Sequence, residues 1–199
     1  MEPARLIQIM GTAEKLKNNT RHSWTSSGRH ESVAEHSWRL ALLAFFVRDE
    51  FPDIDSEKLL KMCLIHDMGE SFTGDIPAFH KTKGDEKIER ELLRDWVKAL
   101  PEPYQSEMTA LYDEMDALKT TEAKIYKALD NLEAVMQHNE ADISTWLPLE
   151  YSLQLTYGAD KVLFSPYMTA LKQQLNADTI KKIEREAPQK KGMQTDESF

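Results

Sequence analysis

Leu59-Leu60-Lys61-Met62-Cys63-Leu64-Ile65-His66-Asp67 decides how this chain is read, because an apolar helix face ends there in two adjacent metal-ligand side chains. Leu59, Met62/Cys63 and His66 recur at helical spacing, so the imidazole lies in register with residues bound for a core. Such an ending suggests a cation held at the rim of that core. Upstream, Ser32-Val33-Ala34-Glu35-His36-Ser37 adds a histidine; downstream, Ala128-Leu129-Asp130-Asn131-Leu132 adds an aspartate. The order along the chain is H, then HD, then D.

Around this stretch the pattern is helical throughout. Valine occurs only at Val33, Val47, Val97, Val135 and Val162, and no sustained period-two run lies between turn residues. Leu6, Met10, Ala13 and Leu16 form one stripe, Ile88, Leu92, Trp96 and Leu100 a second, and Met108, Leu111, Met115 and Leu118 a third. All three are expected to be core. Ser32-Val33-Ala34-Glu35 fits a capping box that starts a helix running to about Glu50, before Pro52. Asp55 or Ser56 caps the next helix. Gly69 and Gly74 mark a loop from Met68 to Lys83, extended at Ile76-Pro77. Further helices are expected over Asp85 to Leu100, Pro103 to Leu118, Thr121 to Asn139 and Leu149 to Tyr157, followed by two shorter ones. The fold class is all-α, with one domain over residues 1–186 and a polar, aperiodic tail over 187–199.

Composition narrows the function. A chain of 199 residues can bury a sizeable core without disulfides, and its single cysteine, Cys63, cannot form an intramolecular one. Met1-Glu2-Pro3-Ala4-Arg5 lacks the basic-then-apolar start of a secretory signal, so the expected location is cytoplasmic. The longest apolar run, Leu40 to Val47, is far short of the ~20 residues a membrane span requires. A formal net charge of -9 argues against a non-specific grip on nucleic acid polymers and favours a small-molecule partner.

His36, His66, Asp67 and Asp130 offer two imidazoles and two carboxylates. This set suits Mn, Fe, Co or Ni with water in the remaining positions better than it suits a thiolate-rich structural zinc site. Helical neighbours diverge by roughly a quarter turn, so a cation lying over the backbone between His66 and Asp67 can take both at about a right angle. Singly, each histidine would read as a satisfied core residue and Asp130 as part of a solvated face.

Taken together, the four residues in this order, on a helical chain, resemble the HD-domain metal-dependent phosphohydrolase superfamily. The likeness runs from Arg21 to Asn139. It is nearest to the bacterial 5'-deoxynucleotidases and related HD domain-containing hydrolases, through Glu35-His36-Ser37, His66-Asp67-Met68-Gly69-Glu70, Thr73-Gly74-Asp75-Ile76-Pro77 and Leu129-Asp130. The resemblance implies an HD-domain helical bundle, a homodimer, and one divalent metal ion (Co, Mn, Ni or Fe, with Mg or Zn as alternatives) on His36, His66, Asp67 and Asp130. Superfamily members with a second metal add two histidines between the HD pair and the last aspartate, whereas only His80 lies there in this chain.

By the same resemblance Glu70 falls on the catalytic glutamate and Asp75 on a second acidic position. Asp75 reads equally as a turn-former from its Thr-Gly-Asp context. Arg21 matches an arginine expected to bind phosphate, for which a planar guanidinium is well suited. Trp24 matches a tryptophan that some relatives carry directly after that arginine; here His22 takes that place, and Trp24 reads either as a stacking partner of a nucleoside or as loop packing. His22, His30, His80 and His138 read as surface or loop residues. The implied activity is hydrolysis of nucleoside, chiefly deoxynucleoside, 5'-monophosphates to nucleoside and phosphate. Its rivals are hydrolysis of another phosphate ester, such as a guanosine alarmone, and a non-catalytic nucleotide-binding regulatory module. Against the last stands the presence of all four ligands and both acids.

Overall fold

The computed structural model describes residues 1–187, so that the tail expected over 187–199 lies, apart from Ala187, outside the described residues. The chain opens with α1 (Pro3–Asn18) and then forms a small antiparallel hairpin, β1 (Thr20–Trp24) and β2 (His30–Ser32). This hairpin was not expected. Its strands are short and mixed in polarity, and its turn is set by Gly28, whose φ of 81° favours glycine. Thr20 pairs with Ser32 and Trp24 with His30, with an irregularity between them.

Ser32 is both the last residue of β2 and the N-cap of α2 (Val33–Val47). Its hydroxyl accepts from the Glu35 N–H at 3.2 Å, and the Glu35 carboxylate accepts from the Ser32 N–H at 2.8 Å. The expected capping box is present, and a single 3-10 turn, Arg48–Glu50, completes the helix. Asp55 rather than Ser56 caps α3 (Ser56–Ile65). From His66 to Gly69 the chain tightens into turns with i→i+3 bonds, among them Met68 N–H to the Ile65 carbonyl at 3.0 Å. The segment expected as a loop then holds a one-turn helix, α4 (Glu70–Thr73).

Thr82 and Asp85 form a second capping box at the start of α5 (Lys83–Lys98), which is followed by α6 (Tyr104–Ala117) and α7 (Thr121–Glu140). The central element is α7: Ile125, Ala128, Leu129, Leu132 and Val135 are fully buried, and α2, α3, α6, α9 and β1 pack around it. After α8 (Glu150–Thr156) comes one long helix, α9 (Pro166–Glu186), where two shorter ones were expected. Gly158 lets the chain leave α8 with φ of 72°; a Cβ there would lie 2.7 Å from that of Asn131 on α7.

The stripe on α6 is core as expected, with Leu111 and Met115 buried. Those on α1 and α5 are core only at their C-terminal ends: Leu16 and Leu100 are buried, whereas Leu6, Met10, Ile88 and Leu92 are exposed. Helical periodicity shows that a face is apolar without showing what covers it. Among the described residues, no helix is long and apolar enough to cross a membrane.

Candidate active site

Three helices deliver the four residues of the H, HD, D pattern to one point. His36 comes from the first turns of α2, His66 and Asp67 from the tightened turn after α3, and Asp130 from the middle of α7. His66 Nε2 lies 3.0 Å from Asp67 Oδ2 and 3.6 Å from Asp130 Oδ1; His36 Nε2 lies 3.2 Å from Asp130 Oδ1 and 3.9 Å from Asp67 Oδ2. Bonds of about 2.0–2.2 Å to a common cation place perpendicular donors about 3 Å apart and opposite donors about 4.2 Å apart. All four histidine–aspartate spacings fall in that window, and the donor atoms of His36, His66 and Asp67 lie within 4.8 Å of one another, so these three, with Asp130 beside both rings, fit one divalent ion.

Both imidazoles are oriented for this task. His66 donates through Nδ1 to the Cys63 carbonyl at 3.0 Å, which leaves the Nε2 lone pair facing the cluster. His36 donates through Nδ1 to Glu133, a fully buried carboxylate one helical turn beyond Asp130. The second oxygen of Asp130 accepts from Lys127 Nζ at 2.7 Å, so one oxygen is anchored and the other points inward. His66 Nε2 is buried and has no hydrogen-bond partner among the described residues, although a carboxylate lies 3.0 Å away. Burial opposes a charge on His66, but Asp67 and Asp130 outweigh it and push its pKa up to about 10. The two carboxylates thus favour a positive charge at the position that His66 Nε2 faces, as a cation ligand set requires.

The site opens into a cavity of ≈ 310 Å³, at the small end of the about 300–1,000 Å³ usual for ligand pockets. One wall is α7, through Asp130, Ala134 and His138, and another is α8, through Glu150, Leu153 and Gln154. Arg21 and His22 of β1 and the Asp75–Phe79 segment complete it. Arg21, Lys81 and Lys127 bring three cationic side chains into a lining that is otherwise acidic, through Asp67, Glu70, Asp75, Glu86, Asp130 and Glu150.

Arg21, Glu70 and Asp75 are thus brought beside the cluster, whereas Trp24 is not. The Trp24 ring lies against His30, with centroids 4.0 Å apart, and its carbonyl accepts from Gln137; this matches the packing alternative rather than a nucleoside contact. Arg21 Nη1 is buried without a hydrogen bond, its nearest carboxylates being Glu133 at 3.8 Å and Glu31 at 3.9 Å. Burial works against its charge, but Glu133, Glu31, Asp67 and Asp130 hold it firmly protonated. Burial, followed by the charges of Asp67 and Asp75, pushes Glu70 up to about 10. Burial likewise raises Asp75 against the pull of Arg21. Two carboxyls that can hold protons thus flank the cation cluster.

Sequence reasoning missed Glu133, Lys81, Lys127 and the pair His22 and His138, which are cavity residues rather than surface ones. Glu133 had a signal: it stands three residues after Asp130 inside the apolar run Leu132 to Val135, where a solvated glutamate is out of place.

A helical bundle that gathers two histidines and two aspartates at the mouth of a cavity is the frame of a metal-dependent hydrolase. The chain belongs to the HD domain family, whose pattern matches residues 13–172. It is 31% identical over 139 residues to the 5'-deoxynucleotidase HDDC2 of Bos taurus, covering 68% of this chain and 67% of the relative. It is 30% identical over 159 residues to the 5'-deoxynucleotidase hdd1 of Schizosaccharomyces pombe, covering 71% and 79%. Among solved structures, a predicted metal-dependent phosphohydrolase from Magnetospirillum magnetotacticum MS-1 superposes with a TM-score of 0.73 at 27% identity, covering 92% of this chain and 96% of that one.

Proposed function

We propose that this chain is a metal-dependent phosphomonoesterase that hydrolyses deoxynucleoside 5'-monophosphates to nucleoside and phosphate. The observation that carries the reading is the convergence of His36, His66, Asp67 and Asp130 on one point of a cavity that also holds Arg21, Glu70 and Asp75. Relatives named 5'-deoxynucleotidases support the substrate class. His36, His66, Asp67 and Asp130 would hold one divalent ion, Co, Mn, Ni or Fe with Mg or Zn as alternatives, which would supply Lewis acidity and make water nucleophilic at neutral pH.

The chain's own groups do the rest. Arg21, charged and with a free buried N–H, binds the non-bridging phosphate oxygens. Glu70 orients the attacking water, and would take its proton once a cation in the cluster had drawn its carboxyl down into the ionised range; Asp75 assists at the leaving oxygen or the sugar hydroxyl. Glu133 fixes the ring of His36, and Lys127 fixes the carboxylate of Asp130. Residues 1–186 work as one domain, and the chain pairs as a homodimer through the apolar face of α2, where Trp38 is 62% and Phe46 74% exposed.

The test is phosphate release from a panel of ribo- and deoxynucleoside 5'-monophosphates, with Mn, Co, Ni, Fe, Mg and Zn added singly after chelation. Release from deoxynucleotides that is restored by added metal, without degradation of single-stranded DNA, is expected. No release with any metal would overturn the reading.

A further inference from the structure

We propose that His22, His138 and Glu150 form a second divalent-metal site, separate from the His36 cluster, at the other end of the cavity. His138 Nε2 lies 2.9 Å and His22 Nε2 3.1 Å from the same oxygen, Glu150 Oε1, and the three donor atoms lie within 4.8 Å of one another. These are the spacings of adjacent donors around one ion, about 3 Å for bonds of about 2.0–2.2 Å.

Two of the three ligands are fixed through their remaining polar atom. His138 Nδ1 donates to the Ala134 carbonyl at 2.9 Å, which fixes the ring, and its Nε2 is hydrogen-bonded to Glu150 Oε1 at 2.9 Å, so an ion would take the place of the proton those two atoms share. Glu150 Oε2 accepts from the Leu147 N–H at 2.6 Å, which aims Oε1 at the two rings. The third ligand carries the most telling feature. His22 Nε2 is buried and 3.1 Å from Oε1, yet it makes no hydrogen bond, because its direction passes beside the oxygen rather than at it. His66 Nε2 in the first cluster shows the same signature, buried and unpartnered at 3.0 Å from Asp67.

The two sites are distinct. Asp130 and His138 both face the cavity from α7; eight residues at 1.5 Å each separate them by about 12 Å along the helix. Paired metals that share a bridging ligand lie about 3.5–4 Å apart, so this is no extension of the first centre. Two imidazoles and one carboxylate select a borderline ion, Zn, Fe, Co or Ni, over Mg, and leave its open positions toward the cavity.

The test is titration of the chelated full-length chain with Co(II), followed by its visible absorption and by elemental analysis. Two equivalents are expected. His22→Ala and His138→Ala should each leave one, and His36→Ala should also leave one, so failure of the first centre is read separately from failure of the second. Glu150→Gln, which preserves shape, should weaken only the second equivalent, by more than about 100-fold, since even outer-sphere partners are worth about 10–100-fold. Saturation at one equivalent in the unmodified chain would reduce the trio to a hydrogen-bonded network and overturn the proposal. So would a second equivalent that survives all three substitutions at His22, His138 and Glu150. Anomalous scattering at the cobalt edge gives an answer even if a variant fails to fold: a peak between His22 and His138 is expected, and its absence at saturating Co(II) is disproof.

Discussion

At the scale of single residues, Asp67 and Glu70 separate holding the ion from using it. Asp67→Asn removes a charged ligand, so metal content and activity should fall together. Glu70→Gln keeps the shape of a side chain that is only 5% exposed, and turnover should fall by roughly 10²–10⁴ with metal content and Tm preserved. Both are read by assaying metal, melting and turnover on one preparation; full activity in Glu70→Gln would leave Glu70 a helix-end residue. Glu133 touches no ligand atom of the cluster other than through the His36 ring. Its replacement by glutamine should lower metal affinity by about 10–100-fold with all four ligands intact, as measured by competition with a chelating dye. The four residues that meet at the cluster were legible in the sequence because each is a metal-binding type in a fixed order. The histidines at the far end were not, because His22 and His138 meet Glu150 only through the packing of β1, α7 and α8.

At the scale of elements, what was legible is what local chemistry decides. Ser32 and Glu35 announced the start of α2, and Pro52 and Asp55 framed the gap before α3. Ser32→Ala should cost about 1 kcal/mol, seen as a lower midpoint in urea with an unchanged slope; no change would mean that the hairpin alone sets the start of α2. The elements misread are those that tertiary contacts decide. Two short helices were expected after Tyr157, yet α9 runs unbroken through Asn176 and Asp178. The Asn176 amide donates to the Leu155 carbonyl of α8 at 3.0 Å, and Asp178 accepts from Gln174 one turn earlier. Polar side chains that elsewhere end helices are here committed to neighbours. The β1-β2 hairpin was invisible for a related reason: its burial comes from α7 and α2 beneath it rather than from its own alternation.

At the scale of the whole molecule, the exposed apolar row Trp38, Leu42, Phe45 and Phe46 on α2 is the place to test pairing. The proposed pairing predicts that the unmodified chain sediments as a dimer at micromolar concentration and Phe46→Glu as a monomer, with the Tm extrapolated to high dilution unaltered; a monomeric unmodified chain would remove the pairing. An unaltered dimer would move the interface elsewhere. The hairpin has a reach beyond its size. Arg21 sits next to Thr20, whose strand partner is Ser32, the residue that starts the helix of His36. Arg21 also lies 3.8 Å from Glu133, the carboxylate that steers the His36 ring. An anion captured by Arg21 and a cation captured by His36 are therefore bound to the same few residues and should obey reciprocal linkage: inorganic phosphate should tighten the ion by the same factor by which the ion tightens phosphate. Calorimetric titration of each in the presence of the other measures that factor, and Arg21→Ala should shrink it; a factor of one would mean that the two ends of the hairpin act independently.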